Sequence, residues 1–431
     1  MTIANNPMLS GNGITFNNTV DGSSDLTVNS SSGNVTFNQA IGETTPLTSL
    51  TANSKISLGG NVTTTGSQNY FDAVTIANNP ILSGSDITFN NTVNGSSDLT
   101  VNGSSGNVTF NNAIGKTTPL TSLTANSKIS LGGNVTTTGS QTYAEAVTVA
   151  KNSVVSGSGI TFNKTVDVPG NLGIAADNVN LKGTVTTTND GTLTITNKVN
   201  LNIENNLNLD GAFIQKGGGT VAVSGNISTT NDNISFSDQV TLKAPVNFTL
   251  GEATIAFGSS LDAGSNPLNL TAGEIDFSGK VSGTGALTLQ PATAGQNMVV
   301  GGTDNNTSAL DLTVSEMNLV QNGFSSLALG RSDSSALISI ASNLTFLDPV
   351  NIQGGTGTLA VEGTLTGNDN SSIALNAERI NLNNSINTNK NQLDINGKVQ
   401  LGNDINLRTG GGDIKIIGAI DGNHLLNLDA G

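Results

Sequence analysis

The segment Thr2-Ile3-Ala4-Asn5-Asn6-Pro7 returns as Thr75-Ile76-Ala77-Asn78-Asn79-Pro80, and a weaker echo, Thr148-Val149-Ala150-Lys151-Asn152-Ser153, follows at the same offset of 73. Between residues 2–74 and 75–147 roughly 63 of 73 positions are identical, and the third copy fades after about Val168. A tandem period of this length is the mark of a chain assembled from stacked supersecondary units, in which length counts units and not domains.

Inside each module lie short strands of one form: Ile14-Thr15-Phe16-Asn17, Leu26-Thr27-Val28-Asn29, Val35-Thr36-Phe37-Asn38, then Ile56-Ser57-Leu58 and Val62-Thr63-Thr64. Apolar, polar, apolar is period two, which puts Ile14 and Phe16 on one face of a strand and Thr15 on the other. Strands this short, separated by turns such as Asp21-Gly22-Ser23-Ser24 and Ser31-Ser32-Gly33-Asn34, cannot enclose a core one at a time. Winding them into a solenoid buries each inward residue against the coils above and below. The expected fold is therefore all-β, a right-handed parallel β-helix running continuously over residues 1–431, with tandem modules at 1–74, 75–147 and 148–168 and divergent coils over 169–431. Coils of roughly 18 to 24 residues would make a rod on the order of 90 to 115 Å at about 4.8 Å per coil. The uneven strand spacing leaves open whether one module makes three coils or four.

Composition bears on what such a solenoid can bind. Only 11% of the residues are charged, there are 52 Gly and no Trp, and the regular apolar alternation argues against disorder. The formal charge of −15 repels phosphate backbones, which excludes nucleic acid as a partner. Without Cys there is no disulfide framework, thiolate metal site or thiol nucleophile. No stretch approaches the roughly 20 apolar residues of a membrane-spanning helix, and residues 1–20 lack the charged start and apolar run of a signal peptide.

One segment breaks the pattern. Ser315 through Gly323 carries a Ser N-cap, an acid in the first turn and a Gly stop, which predicts a short helix over 315–322 that bulges from the rod or covers a coil. Met1 occupies the place of Val74 and Val147 in the strand Ala-Val-Thr-Ile, and the end matches Leu268–Gly273 without the strand that follows it there. The expectation is an interior fragment of a larger protein whose uncapped terminal coils favour end-to-end self-association.

The run from Gly33-Asn34-Val35-Thr36-Phe37-Asn38 through Thr44-Thr45-Pro46-Leu47-Thr48-Ser49-Leu50 to Gly59-Gly60-Asn61-Val62-Thr63-Thr64-Thr65-Gly66 resembles the β-strand repeats of filamentous-haemagglutinin-like bacterial exoproteins. So do Leu310-Asp311-Leu312-Thr313 through Leu329-Gly330-Arg331-Ser332-Asp333, and Leu344-Thr345-Phe346-Leu347-Asp348-Pro349-Val350. The resemblance implies a right-handed β-helix, export across an outer membrane, an extracellular or cell-surface location, and a role in adhesion or aggregation. Neither the family's amino-terminal secretion domain nor a translocator barrel is found, and Asn6-Pro7 reads as a turn.

Candidate chemistry is sparse, and no catalytic, cofactor-binding or metal-ligating residue is assigned. His424 is the sole histidine, so histidine dyads are excluded, and it reads as a surface turn residue. β-Helix lyases and hydrolases gather acids and a basic residue on one outer face, so the carboxylates are where such a site would have to lie. Asp25 and Asp98 recur with the module, but Glu43 is answered by Lys116 and Asp21 by Asn94, which suits solvated surface. Asp348, Asp333 and Arg331 are the least repetitive acid and base group. Gly410-Gly411-Gly412-Asp413-Ile414 matches one unit of a calcium-binding nonapeptide, a chemistry that needs tandem copies. Thr63-Thr64-Thr65, Thr136-Thr137-Thr138 and Thr184-Val185-Thr186 read as ordinary ladder-building threonines, not an ice-binding face. Phe16, Phe37, Phe89, Phe110 and Phe162 fall at inward positions and read as stacked core.

The expected function is mechanical: a non-catalytic, adhesin-type shaft that extends and presents adhesive regions, with host or neighbouring-cell glycans or proteins as partners of the whole. The alternative makes the side of the rod itself a glycan- or self-binding surface, and a polysaccharide-degrading β-helix enzyme comes third.

Overall fold

In a computed structural model of the chain, which describes residues 1–104, 106–304 and 308–431, almost every element is a short strand. The strands pair in parallel from coil to coil and form a β-solenoid of about 20 turns. The chain divides into two compact units, Met1–Asp210 with Gly217–Gly219 and Gly211–Lys216 with Thr220–Gly431.

In the first unit the strands fall into three stacks that the chain visits in turn. The first stack runs from Met8–Gly11 through Asp25–Ser30, Ser49–Ala52, Gln68–Tyr70 and Ile87–Phe89 to Val108–Phe110. The second runs from Ile14–Phe16 through Val35–Phe37 and Ile56–Leu58 to Val74–Ile76, and continues through Val93, Ile114 and Val135 to Ser153–Ser156. The third links Val20, Ile41 and Val62–Thr63 to Ile81–Gly84, Asp98–Gly103, Ser122–Ala125, Ser140–Tyr143 and Gly159–Phe162.

This pairing resolves the coil count. Leu9 lies in the first stack; its equivalent Leu82, eleven stack positions further along, lies in the third, and Val155, eleven beyond that, lies in the second. One module is therefore three and two-thirds coils, and each copy is displaced by one stack from the last. The phenylalanines follow suit. Equivalent residues Phe16, Phe89 and Phe162 sit in the second, first and third stacks, all inward as the alternation requires. They make separate stacked pairs in place of one column: Phe16–Phe37 at 4.4 Å, Phe89 between Tyr70 at 4.9 Å and Phe110 at 4.5 Å, and Phe162 on Tyr143 at 4.8 Å.

The same inward residues serve in each setting. None of the ten positions that differ between the first two copies is buried in either copy. Each buried Val, Leu, Ile or Phe contributes on the order of 1.5–3 kcal/mol by leaving water, and the strand backbones are satisfied by the coils on either side. The turns recur as well. After Ile41 and after Ile114 the chain needs a left-handed residue, supplied by Gly42 (φ 69°) and Gly115 (φ 68°), where a Cβ would lie 2.2 Å from a carbonyl oxygen of the next coil. Asn5 and Asn6 before Pro7 are both left-handed, the turn that the sequence indicated.

Inside the wall, polar groups are satisfied locally. The hydroxyls of Tyr70 and Tyr143 donate to buried Gln68 and Gln141 at 2.9 and 2.8 Å, and those amides donate onward to the carbonyls of Ser83 and Ser156. Burial raises both phenols above the ordinary tyrosine range.

The second unit repeats the three-stack plan, and Val350–Val361, Ile373–Leu382 and Leu393–Leu401 each serve two stacks in succession, as Leu172–Leu181 and Leu193–Ile203 do at the end of the first unit. It also contains an inserted strand. Ala286–Pro291 pairs directly with Ser326–Gly330, while Asn297–Gly302 is paired on one edge by Ala309–Thr313 and on the other by Leu337–Ile340. The helix predicted over 315–322 is shorter and starts earlier, at Val314–Met317, with Thr313 as its cap in place of Ser315. Thr313 and Glu316 stand three apart and form a capping box, Glu316 N–H donating to the Thr313 hydroxyl at 3.1 Å and Thr313 N–H to the Glu316 carboxylate at 2.9 Å. Ser315 has Asn318, not an acid, at the position such a box requires. The helix ends well before Gly323 because Val320 rejoins the ladder opposite Val281.

Candidate functional site

A group of concave features in the second unit lies at the corner where its three long strands bend. The parallel register slips between Gln353 and Gly355, between Gly355 and Thr358, and between Asn376 and Arg379. A bulge bends a strand and re-aims its side chains. The resulting depression, about 440 Å³, is lined by Ser332, Asn351, Gln353, Asn376, Glu378 and Asn396. Gln353, Asn376 and Asn396 are register partners on successive coils and form a file of amides. Asn376 donates to Asn351 at 2.8 Å, and Asn396 donates to Asn376 at 3.4 Å. A second depression of about 450 Å³ shares Glu378 and adds Thr356, Thr358 and Arg379, and a third of about 330 Å³ shares Arg379 and adds Lys398, Gln400 and Asp421. Glu378 pairs with Lys398 at 3.8 Å, both side chains exposed.

The acid and base group singled out in the sequence is not one site. Arg331 grips Asp333 through two bonds of 2.9 Å and turns its remaining nitrogen to the carbonyls of Pro291 and Ala292. That pairing holds the Asp333 carboxyl below the ordinary range. Asp348 is occupied elsewhere: its carboxylate accepts the N–H groups of Gly323 at 2.9 Å and Phe324 at 3.1 Å, anchoring the return of the inserted segment. Burial raises its pKa.

The repeated acids are turn fasteners. Asp21 accepts the N–H groups of Thr44 and Thr45 at 2.8 and 3.3 Å, and the Thr44 bond above all lowers its pKa. Asn94 makes the equivalent bonds to Thr117 and Thr118, so the position requires an acceptor and not a charge. Asp25 and Asp98 each accept a hydroxyl, from Ser49 and Ser122, at 2.7 Å. His424 lies 3.6 Å from Asp404 on the surface.

Two features are not apparent in the sequence. Thr64 and Thr137 point inward, and their hydroxyls close the following turn on the carbonyls of Gly66 and Gly139 at 2.7 and 2.8 Å. Thr409 does the same to Gly412, and Gly410 and Gly411 give that turn its conformation, at φ 59° and 123°. The second feature is a carboxylate seam between the strand Glu274–Phe277 and the inserted strand Ala309–Thr313. Glu274 accepts the N–H of Asp311 at 3.1 Å and Glu316 accepts the N–H of Phe277 at 3.2 Å, taking the place of ladder carbonyls. Desolvation lifts Glu274 to about 8 and Asp276 to about 6, with neighbouring carboxylates adding to the rise. The sequence signal for part of it is the capping-box spacing Thr313-x-x-Glu316. Among the described residues no group of three His, Asp or Glu is arranged to hold a metal ion.

Comparison with family models, curated proteins and solved structures gave no match.

Proposed function

We propose that this chain is a non-catalytic structural shaft of a secreted or cell-surface exoprotein of the filamentous-haemagglutinin-like kind, extending and presenting adhesive regions. The observation that carries it is the displacement of successive modules by one stack with an unchanged core. A fold whose core accepts a module in any of three settings can be lengthened by whole copies without redesign, and length is the property a spacer needs. The parallel ladders and stacked cores supply stiffness along each unit.

The test places the chain between a surface anchor and an adhesive domain and varies the number of copies of residues 75–147. Each copy changes the reach by about 18 Å, taken as three and two-thirds coils at about 4.8 Å. Attachment through a polymer brush of set thickness should rise and fall with copy number. Attachment that ignores copy number, or that persists without the adhesive domain on a surface free of polysaccharide, would overturn the shaft reading.

A further inference from the structure

We propose that the trough at the bend of Val350–Val361, Ile373–Leu382 and Leu393–Leu401 is a binding site for an extended, uncharged polysaccharide, a role that goes beyond that of a spacer. The three depressions adjoin through shared Glu378 and Arg379, so they make one elongated trough and not isolated pits. Length across several coils selects a polymer over a small molecule.

The lining selects the chemistry. Apart from Ala377, the side chains that carry the first depression are amides, a hydroxyl and one carboxylate, all able to bond hydroxyl groups, while Leu337 in the second and Val399 and Ala419 in the third add apolar edge that can meet the C–H face of a sugar. The file Gln353, Asn376 and Asn396 places one amide per coil, about 4.8 Å apart, so a chain lying along the axis meets a fresh donor and acceptor pair with roughly every sugar. Asn376 and Asn396 each spend one N–H within the lining, which leaves the other N–H of each for a ligand. Charge then separates neutral from ionic polymers. Glu378 is paired with Lys398, and Arg379 with Lys398 is balanced by Glu378 with Asp421, so the trough has no net charge to attract a polyanion. The whole chain, at −15, repels one. Contact through hydrogen bonds without an aromatic platform makes each sugar's contribution small, so the affinity rests on several sugars in one trough.

The experiment is native electrophoresis of the full chain through gels containing hydroxyethyl cellulose, dextran or mannan, with alginate as the anionic comparison. Retardation in at least one neutral polymer is expected, with none in alginate. Gln353→Ala combined with Asn396→Ala, two side chains that are not buried, should weaken the retardation about tenfold, and Glu378→Arg, which fills the trough, should abolish it. Circular dichroism of each variant verifies that the coils are intact. Free mobility in all three neutral polymers overturns the proposal, as does retardation that both variants leave unchanged or that alginate alone produces.

Discussion

A module of three and two-thirds coils makes Thr63 and Ser83 ladder partners, side by side on adjacent coils with outward side chains. Three coils per module would instead make each coil about 24 residues long and put Gly59 beside Ser83; four would make it about 18 and put Thr65 there. The chain contains no cysteine, so an engineered pair has no competitor. Neighbouring parallel strands hold Cα atoms about 4.8 Å apart, inside the roughly 4.4–6.8 Å that a disulfide spans, whereas a residue two places along the strand is about 8 Å away and out of reach. Thr63→Cys with Ser83→Cys should therefore close under mild oxidation, and Thr65→Cys or Gly59→Cys with Ser83→Cys should stay reduced. The closed loop of about 20 residues limits the unfolded chain by up to about 3 kcal/mol, less whatever strain the parallel geometry imposes. Non-reducing electrophoresis and peptide mapping give the yields, and urea unfolding with and without reductant gives the stabilisation. Closure of the 65/83 or 59/83 pair in preference to 63/83 would refute the stack assignment, and with it the one-stack displacement of the modules.

Phe89→Ala removes a fully buried ring held between Tyr70 and Phe110, and should cost about 4 kcal/mol in urea unfolding, while Phe71→Ala, at a side chain 53% exposed, should stay within about 0.5 kcal/mol. At Gly283 a Cβ would lie 2.8 Å from the Phe324 ring, so Gly283→Ala should destabilise by about 1–3 kcal/mol, and adding Phe324→Leu should recover part of it; equal losses in both variants would show that the ring is not the obstacle. Glu274 and Asp276 have folded values near 8 and 6, above their ordinary 4.5 and 3.8, so their contribution is full in acid and lost as pH rises through about 6 and then about 8. Amide exchange at Asp311 and Phe277, corrected for intrinsic rate, should be slower at pH 5 than at pH 9, and Glu274→Gln should remove much of that difference; a variant that keeps all of it would locate the effect elsewhere.

The alternation of single residues made the fold legible. Ile14 and Phe16 inward with Thr15 outward is a local signal, and local period plus the need to bury one face leaves few solutions for strands of three residues. The coil count was not legible because coils differ in length: the coil that brings Met8 to Thr27 is shorter than the one that brings Asp25 to Ser49. Only pairing decides which stack a strand joins. The helix was legible as a break in the strand pattern, but its cap and its end were not. Ser315 satisfies a one-residue capping rule and Thr313 a two-residue one, and the helix stops where Val320 finds Val281, a partner distant in sequence. Arg331, Asp333 and Asp348 attract notice by being unlike the repeats, yet unlikeness marks an insertion as readily as a site. Here Asp348 holds the insertion's return and Arg331 holds Asp333. The trough was invisible because Gln353, Asn376 and Asn396 look like every other Asn and Gln in a strand; it exists through register slips, which belong to pairs of strands and not to any one of them.

The one-stack displacement also limits what the modules themselves can do. An adhesive surface built by tandem duplication gains most when copies line up on one face, because a partner can then bridge them. Here Asp25 with Ser49 lies on the first stack and its duplicate, Asp98 with Ser122, lies on the third. The outward apolar positions Met8, Ile81 and Val154 likewise fall on three different stacks. Inward residues lose nothing by the displacement, since a Phe finds a ring or an aliphatic partner in whichever stack it enters. What duplication multiplies in this chain is therefore core and length, while any outward patch is scattered around the axis. A binding surface along the side must come from coils that do not repeat, and the bent strands of the second unit are such coils.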